Sequence, residues 1–302
     1  MPVTTTTTAA SAVVHLTHER SGASADVHLY GATVTSFRPS AGAPDVLFVS
    51  KKAVLDGSKP IRGGIPLVFP QFGAGLVPSK LPSHGFARTS TWTLVDTEDF
   101  VDSVTATFSL VTTKHQLVDW PHAVRLLYTV TLSQNHLTTA LHITNTDTES
   151  WGCQALLHTY FLVPDASPSL VTSALPNVTV SGLAGLEYAC KVRKETLIES
   201  RDAVPIETET DSVYKDTPER LTVQLGASRT VRIEKRAYVV GNGAVPSDAV
   251  VWNPWLDKAH GLSDFADDEY PTMLCVEPGV VTRVQLVQPQ ETLVLKQTLS
   301  ML

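Results

Sequence analysis

Two ionisable residues of this 302-residue chain stand in surroundings that would change what they can do. His158 lies in CQALLHTYFLVP, among Ala155, Leu156, Leu157, Tyr160, Phe161 and Leu162. Glu277 follows Met273, Leu274, Cys275 and Val276 in TMLCVEPG, then meets Pro278 and Gly279. An apolar surround lowers a histidine's pKa, and a nearby carboxylate or phosphate raises it. An imidazole and a carboxylate so placed could move protons as a general acid and base. Each residue alone also has an ordinary explanation. A histidine among leucines is more often a satisfied core residue, and a glutamate can simply mark where an apolar strand meets water.

Cations come next. IRGGIPLVFPQFG sets Arg62 just before Gly63 and Gly64, and LPSHGFARTSTW sets His84 and Arg88 in a loop with proline and glycine. A guanidinium presents a planar fork suited to carboxylate or phosphate oxygens. Two such forks could hold an anion, or each could pair with one of the 30 acidic side chains. In VVWNPWLDKAHG, Trp252 and Trp255 flank Asn253 and Pro254. Aromatic faces beside an amide suit a sugar, and they suit a core equally well. Other chemistries lack their spacing. The ten histidines form no HxH, HExxH or Cys/His cluster, and no GxSxG, P-loop or dinucleotide loop is present. The expectation is a site without metal or cofactor.

The elements that must carry these side chains read as strands. Val104, Ala106, Phe108 and Leu110 alternate with serine and threonine, and Leu126, Tyr128, Val130 and Leu132 repeat the period. A break at Ser133 to His136 predicts a hairpin, with a second one turning at Gly226 to Ser228. A third is predicted between VTRVQLVQ and TLVLKQTL, turning at Pro289 to Glu291. One short helix is expected within NPWLDKAHGLSDF. The fold class is all-β, a large antiparallel β-sandwich with a few short helices. Residues 13–302 read as a single domain, and the threonine-rich residues 1–12 as a disordered tail. A net charge of −7 without a basic run gives no footprint for nucleic acid. No apolar stretch approaches the ~20 residues that span a bilayer. Cys153, Cys190 and Cys275 are odd in number and widely spaced, which suits reduced thiols in the cytoplasm.

Six segments in order, IRGGIPLVFPQFG, LPSHGFARTSTW, LLHTYF, ETDSVY, VVWNPW and CVEPG, resemble the glucose-6-phosphate 1-epimerases. These hexose-6-phosphate mutarotases of the aldose 1-epimerase superfamily include the plant apospory-associated protein C proteins. The resemblance runs from about Arg62 to Glu277 and implies a galactose-mutarotase-like supersandwich. It implies that His158 and Glu277 are the acid and base, on opposite sides of the reacting centre. It implies further that Arg62 and Arg88 hold the phosphate of a hexose 6-phosphate and that Asp211 contacts sugar hydroxyls. His84 and Trp252 would line the wall. Ser83 departs from the glutamine that the family often carries before the loop histidine, which leaves the choice of hexose open. The reaction implied is anomer interconversion, chiefly of glucose 6-phosphate, by a monomer acting without membrane or nucleic acid. An aldose 1-epimerase for unphosphorylated hexoses would need the acid and base but no arginine pair. A non-catalytic sugar-phosphate-binding regulator is a third possibility, since one fold hosts many functions.

Overall fold

Alternation along the sequence becomes alternation across sheets. Val104, Ala106 and Phe108 lie fully buried on one face of the strand Ser103–Thr112, and Leu126, Tyr128, Val130 and Leu132 do the same on Val124–Ser133. The computed structural model describes residues 2–7, 12–76, 80–164, 166 and 175–302. Among them it forms three antiparallel sheets of four, eight and ten strands. Their inner faces share one core, to which Leu16, Phe37, Phe108, Tyr128, Leu157 and Val276 all contribute. No helix among the described residues is long and apolar enough to cross a membrane.

Two of the three predicted hairpins form. Val124–Ser133 pairs with His136–Asn145, and Arg220–Leu225 pairs with Arg229–Val239. The third does not. Met273–Val287 belongs to the eight-stranded sheet, between Asp248–Asn253 and Trp151–Leu157. Thr292–Met301 belongs to the ten-stranded sheet, between Arg229–Val239 and His136–Asn145. The segment around Pro289 therefore crosses from one layer to the other instead of folding back within a layer. Fully buried Asn145 pins that crossing. Its side-chain amide donates to the carbonyls of Val287 and Glu149, each at 2.9 Å, and its side-chain oxygen accepts from the Asp147 amide at 2.8 Å. Removing three hydrogen bonds, two of them fully buried, should cost about 2–4 kcal/mol. Asn145→Ala is accordingly expected to lower the urea midpoint with an unchanged slope.

The threonine-rich start also departs from expectation. Val3–Thr7 pairs with Ala12–His18, from Val3 opposite Leu16 to Thr7 opposite Ala12, as the outer strand of the four-stranded sheet. β-Branched threonines suit an exposed, pleated edge, so residues 3–7 are strand where a disordered tail was predicted.

The eight-stranded sheet carries the functional side. Along Met273–Val287, Leu274 and Val276 point into the shared core, while Met273 and Cys275 join a second apolar cluster on the other face. That cluster includes Tyr160, Val250, Trp252, Phe265 and Tyr270, and Ala259 of the helix Trp255–His260 packs against it. The helix falls within the predicted segment. Asn253 ties its start to the sheet: the side-chain amide donates to the carbonyls of Tyr270 and Met273 at 2.8 Å, and its oxygen accepts from the Trp255 amide.

Candidate active site

Residues directly opposite on paired strands share a face. One row across the outer face of the eight-stranded sheet therefore runs Asp211, Trp252, Cys275, Tyr160. The next runs Val213, Val250, Glu277. Glu277 is thus a carboxylate in the middle of a sheet face, not at a strand end in water, and only 1% of it is exposed.

His158 occupies the break between the strands Trp151–Leu157 and Tyr160–Leu162. Its amide donates to the Pro66 carbonyl at 3.0 Å. The next residue, Thr159, turns its hydroxyl the other way, onto the amide of fully buried Gln297 at 2.9–3.1 Å. Gln297 belongs to the ten-stranded sheet, so the break is anchored across the core. The imidazole then lies parallel to the Tyr160 ring, 4.7 Å between centroids and 11° apart. Trp252 and His84 meet it edge-on at 6.1 and 5.8 Å.

The Nδ1 of His158 stands 3.5 Å from Oε1 of Glu277. Neither this nitrogen nor Oε2 of Glu277 has a hydrogen-bond partner among the described residues. Burial pushes the Glu277 carboxyl well above the usual range, and Asp211 adds to the effect. Burial likewise pushes His158 well below its usual value, reinforced by His84, Arg88 and Arg62. Both shifts act in favour of the uncharged forms, a neutral imidazole beside a protonated carboxyl. That form holds the same number of protons as imidazolium beside carboxylate. A proton shared by the dyad can thus sit on either member. At 3.5 Å the two groups stand side by side, which corrects the expectation that they lie on opposite sides of the reacting carbon.

Arg62 enters from the loop before Gly63 and Gly64. The chain there squeezes between two neighbours: a Cβ on Gly64, at φ +68°, would lie 2.1 Å from the Val34 carbonyl. Nε and Nη2 of Arg62 both reach Oδ1 of Asp264 at 3.1 Å, and Nη1 donates to the Tyr160 hydroxyl at 3.2 Å. The acidic pairing foreseen as its ordinary explanation is thus real, and the guanidinium still faces the cavity. Arg88, in the 3-10 turn Ala87–Thr89, donates through Nη2 to the Ser83 carbonyl at 2.8 Å. Its buried Nε has no hydrogen-bond partner among the described residues. Because Ser83 serves Arg88 through its backbone, the departure at this position does not disturb that bond. His84 accepts at Nδ1 from the Gly73 amide at 3.3 Å, leaving Nε2 as the donor. Burial, then Arg88, Lys191 and Arg62, lower its pKa to about 3, so it is neutral.

His158, Glu277, Arg62, Arg88, Asp211, His84 and Trp252 all line one cavity of about 370 Å³. Two lysines that sequence reading did not single out join them. Lys191 and Lys258 flank Asp211 at 3.9 and 3.7 Å, and Lys191 also lies 4.1 Å above the Phe72 ring. Tyr160 and Asp264 were missed as well, although Tyr160 stands two residues after His158. A cavity of about 430 Å³ lies elsewhere and one of about 510 Å³ adjoins the site through Phe72, Gly73 and Lys191; neither holds a comparable acid–base pair among the described residues. Cys275 adds a sulfur within 4.8 Å of the His158 and Glu277 donor atoms, a trio that could in principle take a metal ion. Burial and Glu277 hold its thiol protonated, which makes it a poor ligand.

A sugar-sized pocket on the outer face of a β-sandwich, with an imidazole and a carboxyl at its floor, defines a mutarotase-like protein. A crystal structure described as that of "a putative mutarotase" from Salmonella typhimurium superposes with a TM-score of 0.83, covering 99% of this chain and 93% of that one at 24% identity. The sequence profile of the aldose 1-epimerase family matches residues 12–300, and the chain belongs to that family of isomerases. Relatives named "Putative glucose-6-phosphate 1-epimerase" include one from a plant and one from a bacterium. The one from Cenchrus ciliaris is 35% identical over 88% of this chain and 78% of its own length. The one from Escherichia coli K12 is 29% identical over 90% of this chain and 84% of its own.

Proposed function

We propose that this enzyme interconverts the α and β anomers of hexose 6-phosphates, chiefly glucose 6-phosphate. The observation that carries the reading is one cavity that joins the His158–Glu277 dyad to two arginines. The names of the relatives agree with it. Glu277, as carboxylate, takes the proton from the anomeric hydroxyl. The bond from the anomeric carbon to the ring oxygen breaks as the carbonyl forms, and the ring oxygen takes a proton from His158. Rotation about the first carbon–carbon bond exposes the other face of the aldehyde. On closure His158 takes its proton back and Glu277 returns the other. Both oxygens sit on one carbon, so an acid and a base standing side by side can reach them together. Positioned proton transfer of this kind contributes about 10²–10⁴-fold.

The arginines stand on the appropriate side. In a pyranose the phosphate-bearing branch leaves the carbon next to the ring oxygen. A group that protonates this oxygen therefore has the phosphate for a neighbour. Arg62 reaches Tyr160, which stacks on His158, and Arg88 shares the same wall. Asp211, between its two lysines, is then free to meet hydroxyls beyond the anomeric carbon. His84 would donate through Nε2, and Trp252 would offer its indole as an apolar wall. Three buried, unpaired cysteines support a reducing compartment, the cytoplasm. We take the enzyme to act as a monomer.

One observation favours a second reading, mutarotation of unphosphorylated hexoses: Asp264 already occupies part of Arg62. Exchange NMR at neutral pH separates the two. Acceleration of glucose 6-phosphate exchange, with glucose and galactose little affected, is the expected result. Comparable acceleration of the free sugars would remove the phosphate from the function.

A further inference from the structure

Burial opposes the productive distribution of a proton shared by the dyad. The productive form needs that proton on His158 and not on Glu277, 3.5 Å away, and so creates a buried ion pair. Such a pair forms only where its surroundings compensate the lost hydration. Arg62, Arg88 and His84 face the imidazole from the loops, Tyr160 from the adjacent strand, and Cys275 from the strand of Glu277. On the carboxyl side stand Asp211, Lys191 and again Arg88. Both arginines oppose a positive imidazole and Asp211 opposes a negative carboxyl, while Lys191 and, more weakly, Arg88 favour the latter.

Contact geometry links Arg62 to the imidazole through one residue. Arg62 donates to the Tyr160 hydroxyl, and the Tyr160 ring lies flat on His158. Arg88 keeps a buried Nε without a partner among the described residues. A dianion seated on the two guanidiniums would cancel their charge, and with it their opposition to an imidazolium. We propose that the substrate's phosphate, held by Arg62 and Arg88, draws the proton from Glu277 to His158 and so assembles the acid as well as anchoring the sugar. The step moves one proton between two named atoms and changes no other bond. It rests on the hexose 6-phosphate reading and deepens it: the arginine pair is an activating site that a free oxyanion can occupy. A phosphorylated sugar brings its own activator, and a bare sugar finds the acid disarmed.

The test divides the substrate in two. Xylose is the pyranose that lacks the phosphate-bearing branch, and phosphite dianion supplies the missing charge. Xylose exchange is measured by NMR with and without phosphite, beside glucose 6-phosphate, and the ¹⁵N-labelled imidazole of His158 is observed under the same conditions. Phosphite is expected to inhibit glucose 6-phosphate exchange, to speed xylose exchange about tenfold or more, and to shift His158 toward imidazolium; one pKa unit corresponds to that factor. Arg88→Gln should slow glucose 6-phosphate exchange and abolish the acceleration of xylose by phosphite. Its melting temperature, compared with the parent, shows that the variant is folded. Phosphite that inhibits glucose 6-phosphate yet leaves the xylose rate and His158 unchanged would overturn the proposal and reduce the arginines to an anchor. Failure of phosphite to bind at all would do the same. If glucose 6-phosphate itself is not accelerated, the underlying reading fails first.

Discussion

Glu277→Gln is expected to reduce the acceleration of glucose 6-phosphate exchange by about 10²–10⁴-fold while leaving the protein folded. Glutamine keeps the shape of the side chain but can take no proton from the anomeric hydroxyl. His158→Asn should fall into the same range, because ring opening needs both partners. The double variant should lose little beyond either single one, as residues that act as a unit do. Retention of near-normal exchange by either variant would remove that residue from the reaction. Stability offers an independent reading of the carboxyl. Burial holds Glu277 above its ordinary value of 4.5, so the folded state keeps a proton that the unfolded chain releases. Its contribution is complete below the unfolded value and is lost as pH rises toward the folded one. Glutamine has no such loss. Glu277→Gln should therefore gain in melting temperature over the parent at neutral pH, and the gain should shrink as pH falls toward 4.5.

The second large effect is expected far from any proton. Gly85→Ala should destabilise the protein by more than about 4 kcal/mol, the range reached only by specific structural damage, and should disable the site as well. Gly85 has φ +71°, and a Cβ there would stand 2.1 Å from the Phe69 carbonyl oxygen and 2.5 Å from its carbon. The neighbour is backbone, so no side chain can rotate away. Gly85 follows His84 directly, and its loop delivers Arg88 three residues later. Gly42→Ala is the control: it has the same positive φ, +71°, but open space around it, and should cost only about 1 kcal/mol. Urea midpoints of the two variants check the contrast. Equal, small losses would mean that the loop can shift to admit the methyl group.

Legibility in the sequence followed the range of the physics involved. The hairpins of 124–145 and 220–239 were readable because pairing, turn and alternation all lie within a short window. The third failed for the same reason. VTRVQLVQ and TLVLKQTL alternate well, and a proline between polar residues resembles any turn, yet nothing local states which layer each strand joins. Gln297 shows what decides it, since its amide must reach Thr159 across the core. The threonine run was misread because it looks like low-complexity tail until a partner strand is present. At the site, motif order pointed to seven side chains that the fold gathers around one cavity. Lys191 and Asp264 sit in unremarkable contexts, and only the folded chain brings them there. The 3.5 Å separation of His158 from Glu277 follows from strand register, which alternation does not encode.

The crossing at Pro289 reaches beyond architecture into how the chain must assemble. Thr292–Met301 fills an interior position of the ten-stranded sheet, between strands that begin at His136 and Arg229. Before it arrives, each of those strands has an unpaired interior edge, the kind of template on which chains join wrongly. During synthesis this keystone leaves the ribosome after both of its neighbours. The two halves of the sheet must therefore wait, exposed, for a segment made long after them. A topology so rich in distant pairings folds slowly, and its vulnerable interval is set by translation as much as by the chain itself.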